Sequence, residues 1–140
     1  MASLQDLLVD LISLSLQGKQ LHWHVQGPNF RPVHLQLDEV VNAARGYADD
    51  VAERSVALDV PVDGRPAVVA KEQSLTEPPD GWVRDEDAVR LMADAVTRVA
   101  DRGRTLIDQL ADDLVTQDLV IGIVRDLDKH AWMLRAQLVR

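Results

Sequence analysis

Apolar and polar positions alternate along this chain with the period of a helix, not of a strand. Leu4, Leu7, Leu8, Leu11 and Leu14 recur at three- and four-residue intervals and trace one helical stripe. Ser3, followed three residues on by Asp6, supplies a start signal for that helix, which is expected to run to about Val25. Gly27-Pro28-Asn29 ends it; Asn29 is placed to cap a second helix, with Pro32 in the first turn where its missing N–H costs nothing. The second pattern continues to about Leu58. Residues 59–84 break the period with Pro61, Gly64, Pro66, Pro78, Pro79 and Gly81, around a short helix expected at Ala67–Glu72. A third long helix is predicted from Asp85 as N-cap, with Val89, Met92, Val96, Val99, Leu106 and Leu110 facing inward. A fourth is predicted from about Thr116, with Leu119, Ile123, Leu127, Leu134 and Leu138 on one face. No internal repeat, low-complexity tract or strand alternation interrupts the pattern. Short links join helices 1–2 and 3–4 and a long one joins 2–3, so the expected fold is an all-α, four-helix bundle with one long crossover, in a single domain over residues 1–140.

Composition narrows the class. Aromatic residues make up only 4%, so the core must be aliphatic, and the absence of cysteine removes disulfides, thiolate metal sites and cysteine nucleophiles. No apolar run reaches membrane-spanning length and the N-terminus lacks the basic region of a signal peptide, so no membrane partner is expected and a cytoplasmic location is the default. The net charge of −8 argues against a polyanionic partner and for cations.

Three of the four histidines fall within residues 22–34. A lone histidine on a helix is usually ordinary surface or core, which suits His130 and His24. His34 and Asp38, at i and i+4, leave a helix on one face. The same holds for Asp49 and Glu53. Asp49 follows Asp38 by 11 residues, three turns plus roughly 20°, so both pairs share a face but lie about 16 Å apart along the axis. They cannot chelate one ion within one straight helix. Two copies packed antiparallel about a twofold axis between Ala43 and Ala44 would set His34 and Asp38 of one chain opposite Asp49 and Glu53 of the other. Ala43, Ala44 and Gly46 are small enough for a close crossing there, and His22 could reach the same seam. The His–carboxylate mixture suits Fe(II), Mn(II) or Zn(II) better than Ca or Mg. A dinuclear site inside one bundle would need Glu-x-x-His, and none of Glu39, Glu53, Glu72, Glu77 or Glu86 has His three residues later.

The stretches KQLHWHVQGPNFRPVHLQLDEV and DDVAERSVAL, with the ending DLVTQDLVIGIVRDLDKHAWMLRAQL, resemble the Dps family over nearly the full chain. These are ferritin-like, twelve-subunit shells with ferroxidase centres between subunits. The family pattern is His-Trp-Asn, Gly-x-x-Phe, His-x-x-x-Asp and Asp-x-x-x-Glu-Arg. It is met by His22-Trp23, Gly27 with Phe30, His34 with Asp38, and Asp49 with Glu53-Arg54. The resemblance implies a ferritin-like bundle and a homo-dodecamer. It also implies iron, as Fe(II) and Fe(III), bound by Asp49 and Glu53 of one subunit and His22 of its mate, with His34 and Asp38 completing a second, weaker position. Trp23 would stand beside the site, its other role being core packing. His24 replaces the family's Asn and is expected to point away. The implied function is iron storage and detoxification, with Fe(II) oxidised preferentially by hydrogen peroxide, ferric mineral held in a hollow shell, and protection against oxidative stress. Asp108, Asp112, Asp113 and Asp118 fall where relatives line an ion-entry pore; the other reading is a solvated helix end with Asp113 or Thr116 as a cap. The alternatives are a nucleoid-associated, DNA-binding protein with secondary ferroxidase activity, and a shell that turns over poorly. Family members bind DNA through basic tails. Here the first predicted helix starts near Ser3, the first basic residue is Lys19 and the last helix runs almost to Arg140, so DNA binding is not expected.

Overall fold

In the computed structural model, which describes residues 3–139, the Ser3 hydroxyl accepts from the Asp6 N–H at 3.2 Å and the Asp6 carboxylate accepts from the Ser3 N–H at 3.1 Å. This closes the start of α1 (Leu4–His24). After β1 (Val25–Gln26), α2 runs Phe30–Ala57. The irregular zone contains α3 (Pro66–Glu72), one residue longer than the expected short helix, and leads into β2 (Val83–Arg84). Then follow α4 (Asp85–Gln109), α5 (Leu114–Arg135) and a 3-10 turn at Ala136–Leu138. The leucine stripe of α1 is buried, and the core is aliphatic throughout apart from Met92. None of the three tryptophans joins it: Trp23, Trp82 and Trp132 are 61%, 71% and 61% exposed, while Tyr47 packs partly buried against its edge.

The bundle consists of two helical hairpins, α1 along α2 and α4 along α5, meeting chiefly where α1 lies against α4. Each hairpin has a glycine where the facing helix leaves no room for a Cβ. A Cβ on Gly18 would lie 2.6 Å from Val41 Cγ2, and one on Gly103 would lie 2.5 Å from Val124 Cγ2. The crossover is tied to the back of α1. Gln5 and Asp63 exchange two bonds at 2.8 and 2.9 Å, and Ser13 Oγ donates to Gln73 Oε1 at 2.9 Å. The fully buried Asp10 carboxylate accepts from the Ser74 N–H and hydroxyl, both at 2.7 Å, and from Arg102 at 2.9 Å.

Several expectations need correction. The sequence pattern gave no reason for a strand, yet Val25 pairs with Val83 and Gln26 with Arg84 in a two-residue parallel ladder. Such a ladder is too short to leave an alternation in sequence. Asn29 stands at the N-cap of α2 without a side-chain cap bond; its N–H instead donates to Asp85 Oδ2 at 2.8 Å. Asp85 is the first residue of α4 rather than its N-cap, which is Arg84; its carboxylate also accepts from the Glu86 N–H. That buried carboxylate lies under Gly27, whose φ of 132° and whose Cβ position 2.5 Å from Asp85 Oδ2 leave room for glycine alone. Helix α5 starts two residues before Thr116, because Asp113 accepts from the Thr116 N–H and caps it.

Candidate metal centre

Residues six positions either side of the Pro28 turn come together across the α1–α2 hairpin. His22 and His34 stack with ring centroids 3.6 Å apart and planes 12° from parallel. Each is held by the other's backbone: His22 Nδ1 lies 2.6 Å from the His34 carbonyl oxygen, and His34 Nδ1 lies 2.7 Å from that of His22. A carbonyl oxygen only accepts, so each Nδ1 carries a proton, and when the ring is neutral its lone pair is on Nε2. That is the tautomer in which a neutral imidazole binds a metal, with its orientation fixed by the opposite nitrogen. Phe30 closes the stack on the far side of His34 at 4.9 Å.

Asp38 lies one turn beyond His34 and is half-exposed, but it is not free. Lys19 Nζ donates to Asp38 Oδ1 at 2.5 Å. This bond, with smaller help from the charges of His22, Lys19 and His34 and against partial desolvation, holds the Asp38 carboxyl below the usual carboxylate range. Sequence reasoning missed Lys19, although it lies one turn before His22 on the same helix.

Asp49 and Glu53 are exposed further along α2. With Leu35, Asp38, Asn42 and Gly46 they form an outward stripe, while Val33, Leu37, Val40, Val41, Ala44, Ala48 and Val51 face the core. The expected crossing is corrected in one respect. Ala44 is buried inside its own bundle, so the small outward residues are Gly46, where an added Cβ would meet nothing within 4 Å, and the half-exposed Ala43. Among the described residues of one chain, no three His, Asp or Glu side chains converge closely enough to hold a metal.

Trp23 is exposed, which excludes core packing within the subunit. His24 turns back on its own helix, with Nδ1 3.0 Å from the Gln20 carbonyl oxygen and its ring 5.6 Å from that of Trp82. His130 Nε2 lies 3.7 Å from Asp126 Oδ2 on α5, away from the α1–α2 hairpin. Of the four aspartates at the α4–α5 junction, Asp108, Asp112 and Asp118 are exposed. Asp113 is engaged as the α5 cap and as the partner of Arg54 at 3.5 Å. The Thr116 hydroxyl and N–H, and more weakly Arg54, lower its pKa.

The ferritin-like domain family matches residues 1–140. A DNA protection during starvation protein from Mycolicibacterium smegmatis is 37% identical over 140 residues, covering 96% of this chain and 74% of that protein. DNA protection during starvation protein 2 of Bacillus anthracis is 34% identical over 122 residues, covering 84% and 81%. Among solved structures, Dps from Microbacterium arborescens in a high-iron form superposes with a TM-score of 0.94 at 36% identity, over 98% of this chain and 90% of that one. Dps92 from Deinococcus radiodurans gives 0.92 at 29% identity, over 95% and 81%.

Proposed function

The chain belongs to the Dps family of ferritin-like proteins, and from that premise we propose that it oxidises Fe(II) at centres shared by two subunits, preferentially with hydrogen peroxide, and stores the ferric product in a hollow homo-oligomeric shell. The observation that carries this reading is the reciprocal His22–His34 clamp. It spends both Nδ1 protons on backbone carbonyls and leaves two Nε2 lone pairs beside Asp38 on the hairpin. Imidazole donors retain Fe(II), and carboxylates favour the Fe(III) that forms. Asp49 and Glu53 share the outward stripe of α2 with Asp38, about three turns away, so one chain presents two incomplete ligand sets. A twofold mate crossing at the level of residues 43–44, where outward Ala43 and Gly46 allow close approach, brings the imidazoles of one chain to the carboxylates of the other, twice per dimer. In the reaction two Fe(II) each lose one electron, and one peroxide with two protons takes both electrons to give two waters, which leaves no hydroxyl radical.

Exposed Leu16, Trp23 and Leu35 on α1 and α2, with Val56, Leu58 and Val60 at the far end, supply apolar area suited to burial between subunits. The exposed Asp108, Asp112 and Asp118 are proposed to gather cations at an opening of the shell, where the chain's net negative charge adds to the attraction. Asp113 is left out of this role because it caps α5.

The test is the initial rate of peroxide-driven Fe(II) oxidation in Asp49→Asn and Glu53→Gln. Each change removes a charged ligand at nearly constant volume, so both variants should assemble and oxidise iron far more slowly. Unchanged rates in both would overturn the assignment. Anomalous diffraction from Fe(II)-soaked crystals would identify the ligands directly.

A further inference from the structure

Where α2 passes α5, Tyr47, Gly122, Arg125, Asp126 and Lys129 line an open cleft of about 470 Å³. Arg125 and Lys129 stand at i and i+4, so both cations leave α5 on one face, where like charges repel. Neither makes an ion pair or a side-chain hydrogen bond among the described residues. Asp128, three residues beyond Arg125, is taken by Arg104 of α4. Arg125 instead folds back over Gly122, its Nη2 3.9 Å from where a Cβ on that glycine would stand. Tyr47, the chain's one tyrosine, is half-buried, and its hydroxyl has no partner among the described residues. Asp126 brings a carboxylate to the same cleft. Its ion-pair contact, His130 Nε2 at 3.7 Å, is beyond hydrogen-bonding distance, so the carboxylate keeps its capacity to accept. We propose that this cleft binds protonated inorganic phosphate, with Arg125, Lys129 and Tyr47 donating to its oxygens and Asp126 accepting from its P–OH. The site shares no residue with the metal centre and does not depend on it.

The argument rests on matching donors and acceptors. A guanidinium fork spans two oxygens of a tetrahedral oxyanion, and an ammonium adds a compact charge. Those two groups alone would hold sulfate and phosphate alike. Asp126 separates them, because a carboxylate repels any anion that brings it no proton. Sulfate at neutral pH carries none, and a phosphate monoester has mostly lost its last one. Inorganic phosphate keeps at least one proton, and its P–OH converts the facing carboxylate from a repulsive neighbour into the acceptor of a charge-assisted bond. The net charge of −8 opposes any general gathering of anions, so retention has to come from this local set. Arg125 and Lys129 are exposed. At water-like screening, two single positive charges acting on a dianion give a dissociation constant of roughly 1 mM.

The experiment is a calorimetric titration of the metal-free assembled protein, at low salt and about pH 7.5, with inorganic phosphate, sulfate and glycerol phosphate in turn. The natural sequence should bind phosphate roughly tenfold more tightly than either of the others. Arg125→Gln and Lys129→Gln should each weaken phosphate binding roughly tenfold. Lys71→Gln, which removes an exposed cation of α3 outside the cleft, should leave it unchanged. Asp126→Asn removes both the repulsion and the selective acceptor, so sulfate should then bind about as tightly as phosphate. Assembly of each variant is confirmed by size. Absence of phosphate binding, or equal affinities for phosphate and sulfate in the natural sequence, overturns the proposal. Unchanged phosphate affinity in both α5 cation variants does the same. An equal loss in Lys71→Gln and Arg125→Gln would mean attraction by mean charge alone, and the site would be refuted. A tenfold preference for phosphate that survives Asp126→Asn would refute the accepting carboxylate, and with it the choice of ligand.

Discussion

Two inactive chains should make an active assembly when mixed. Take one chain with His22→Asn and His34→Asn. Each Asn retains an N–H near the position of Nδ1, so the bonds to the opposite carbonyls persist while both Nε2 ligands disappear. Take a second chain with Asp49→Asn and Glu53→Gln. Each centre draws imidazoles from one subunit and the Asp49–Glu53 carboxylates from its twofold mate, so neither homodimer has an intact centre. In the mixed dimer one centre combines both lesions and the other combines the intact halves. Random pairing of equal amounts makes about half of the dimers mixed, so about one quarter of all centres should be intact. The initial rate of Fe(II) oxidation should therefore return to about one quarter of the unmutated rate, against near-zero rates for either parent. The assay is peroxide-driven oxidation after joint unfolding and refolding, with co-assembly confirmed by native mass spectrometry. A silent mixture with proven co-assembly would refute the intersubunit geometry. A parent that retains most of its activity would refute the ligand assignment instead.

Other consequences concern stability, pH and partners. Gly103→Ala places a Cβ 2.5 Å from Val124 Cγ2; overpacking costs about 1–3 kcal/mol and the better helix propensity of alanine returns about 1. Urea unfolding at fixed protein concentration should thus show a net loss of up to about 2 kcal/mol, and a raised midpoint would contradict the packing. Asp113 has a lowered carboxyl pKa, chiefly from the Thr116 hydroxyl and then its N–H, so its contribution is complete above the unfolded value of about 3.9 and is lost as pH falls through the lower folded value. Asp113→Asn keeps the cap but should reduce the loss of stability between about pH 5 and pH 3, measured as the shift in urea midpoint; an equal shift in both proteins would refute this. With a net charge of −8, the metal-free chain should not retard duplex DNA in a gel at about 0.15 M salt. A shifted band would show a local basic surface strong enough to outweigh the mean charge.

The helices were legible because their apolar stripes are long and their breaks are marked by Gly and Pro. The α3 helix was expected at Ala67–Glu72 with Pro66 read as a break; it includes Pro66, because a proline in the first turn gives up no needed N–H. The β1–β2 ladder was not, since two residues carry no period and its support comes from Asp85, far along the chain. At the site, the face shared by His34, Asp38, Asp49 and Glu53 follows from helix geometry within α2 alone. The stacking of His22 on His34 and the bond from Lys19 to Asp38 needed the pairing of two helices. A signal was present: counting outward from Pro28, six residues reach His22 and His34, and nine or ten reach Lys19 and Asp38. An antiparallel hairpin aligns such positions. Ala44 was misplaced for a related reason, because small residues suit both a buried helix crossing and an open one, and only the burial of each position separates the two.

The tether at Asp10 bears on the order in which the chain folds. The α1–α2 and α4–α5 hairpins close over short turns, so their contacts are local and carry little loop-closure entropy. The bonds from Ser74 and Arg102 to Asp10 bridge 64 and 92 residues and exist only after the crossover and both hairpins have met. They are therefore late contacts, absent while each hairpin nucleates. Replacing Asp10 by Asn should speed unfolding much more than it slows refolding, the signature of a latch that governs how long the native subunit persists rather than how quickly it forms.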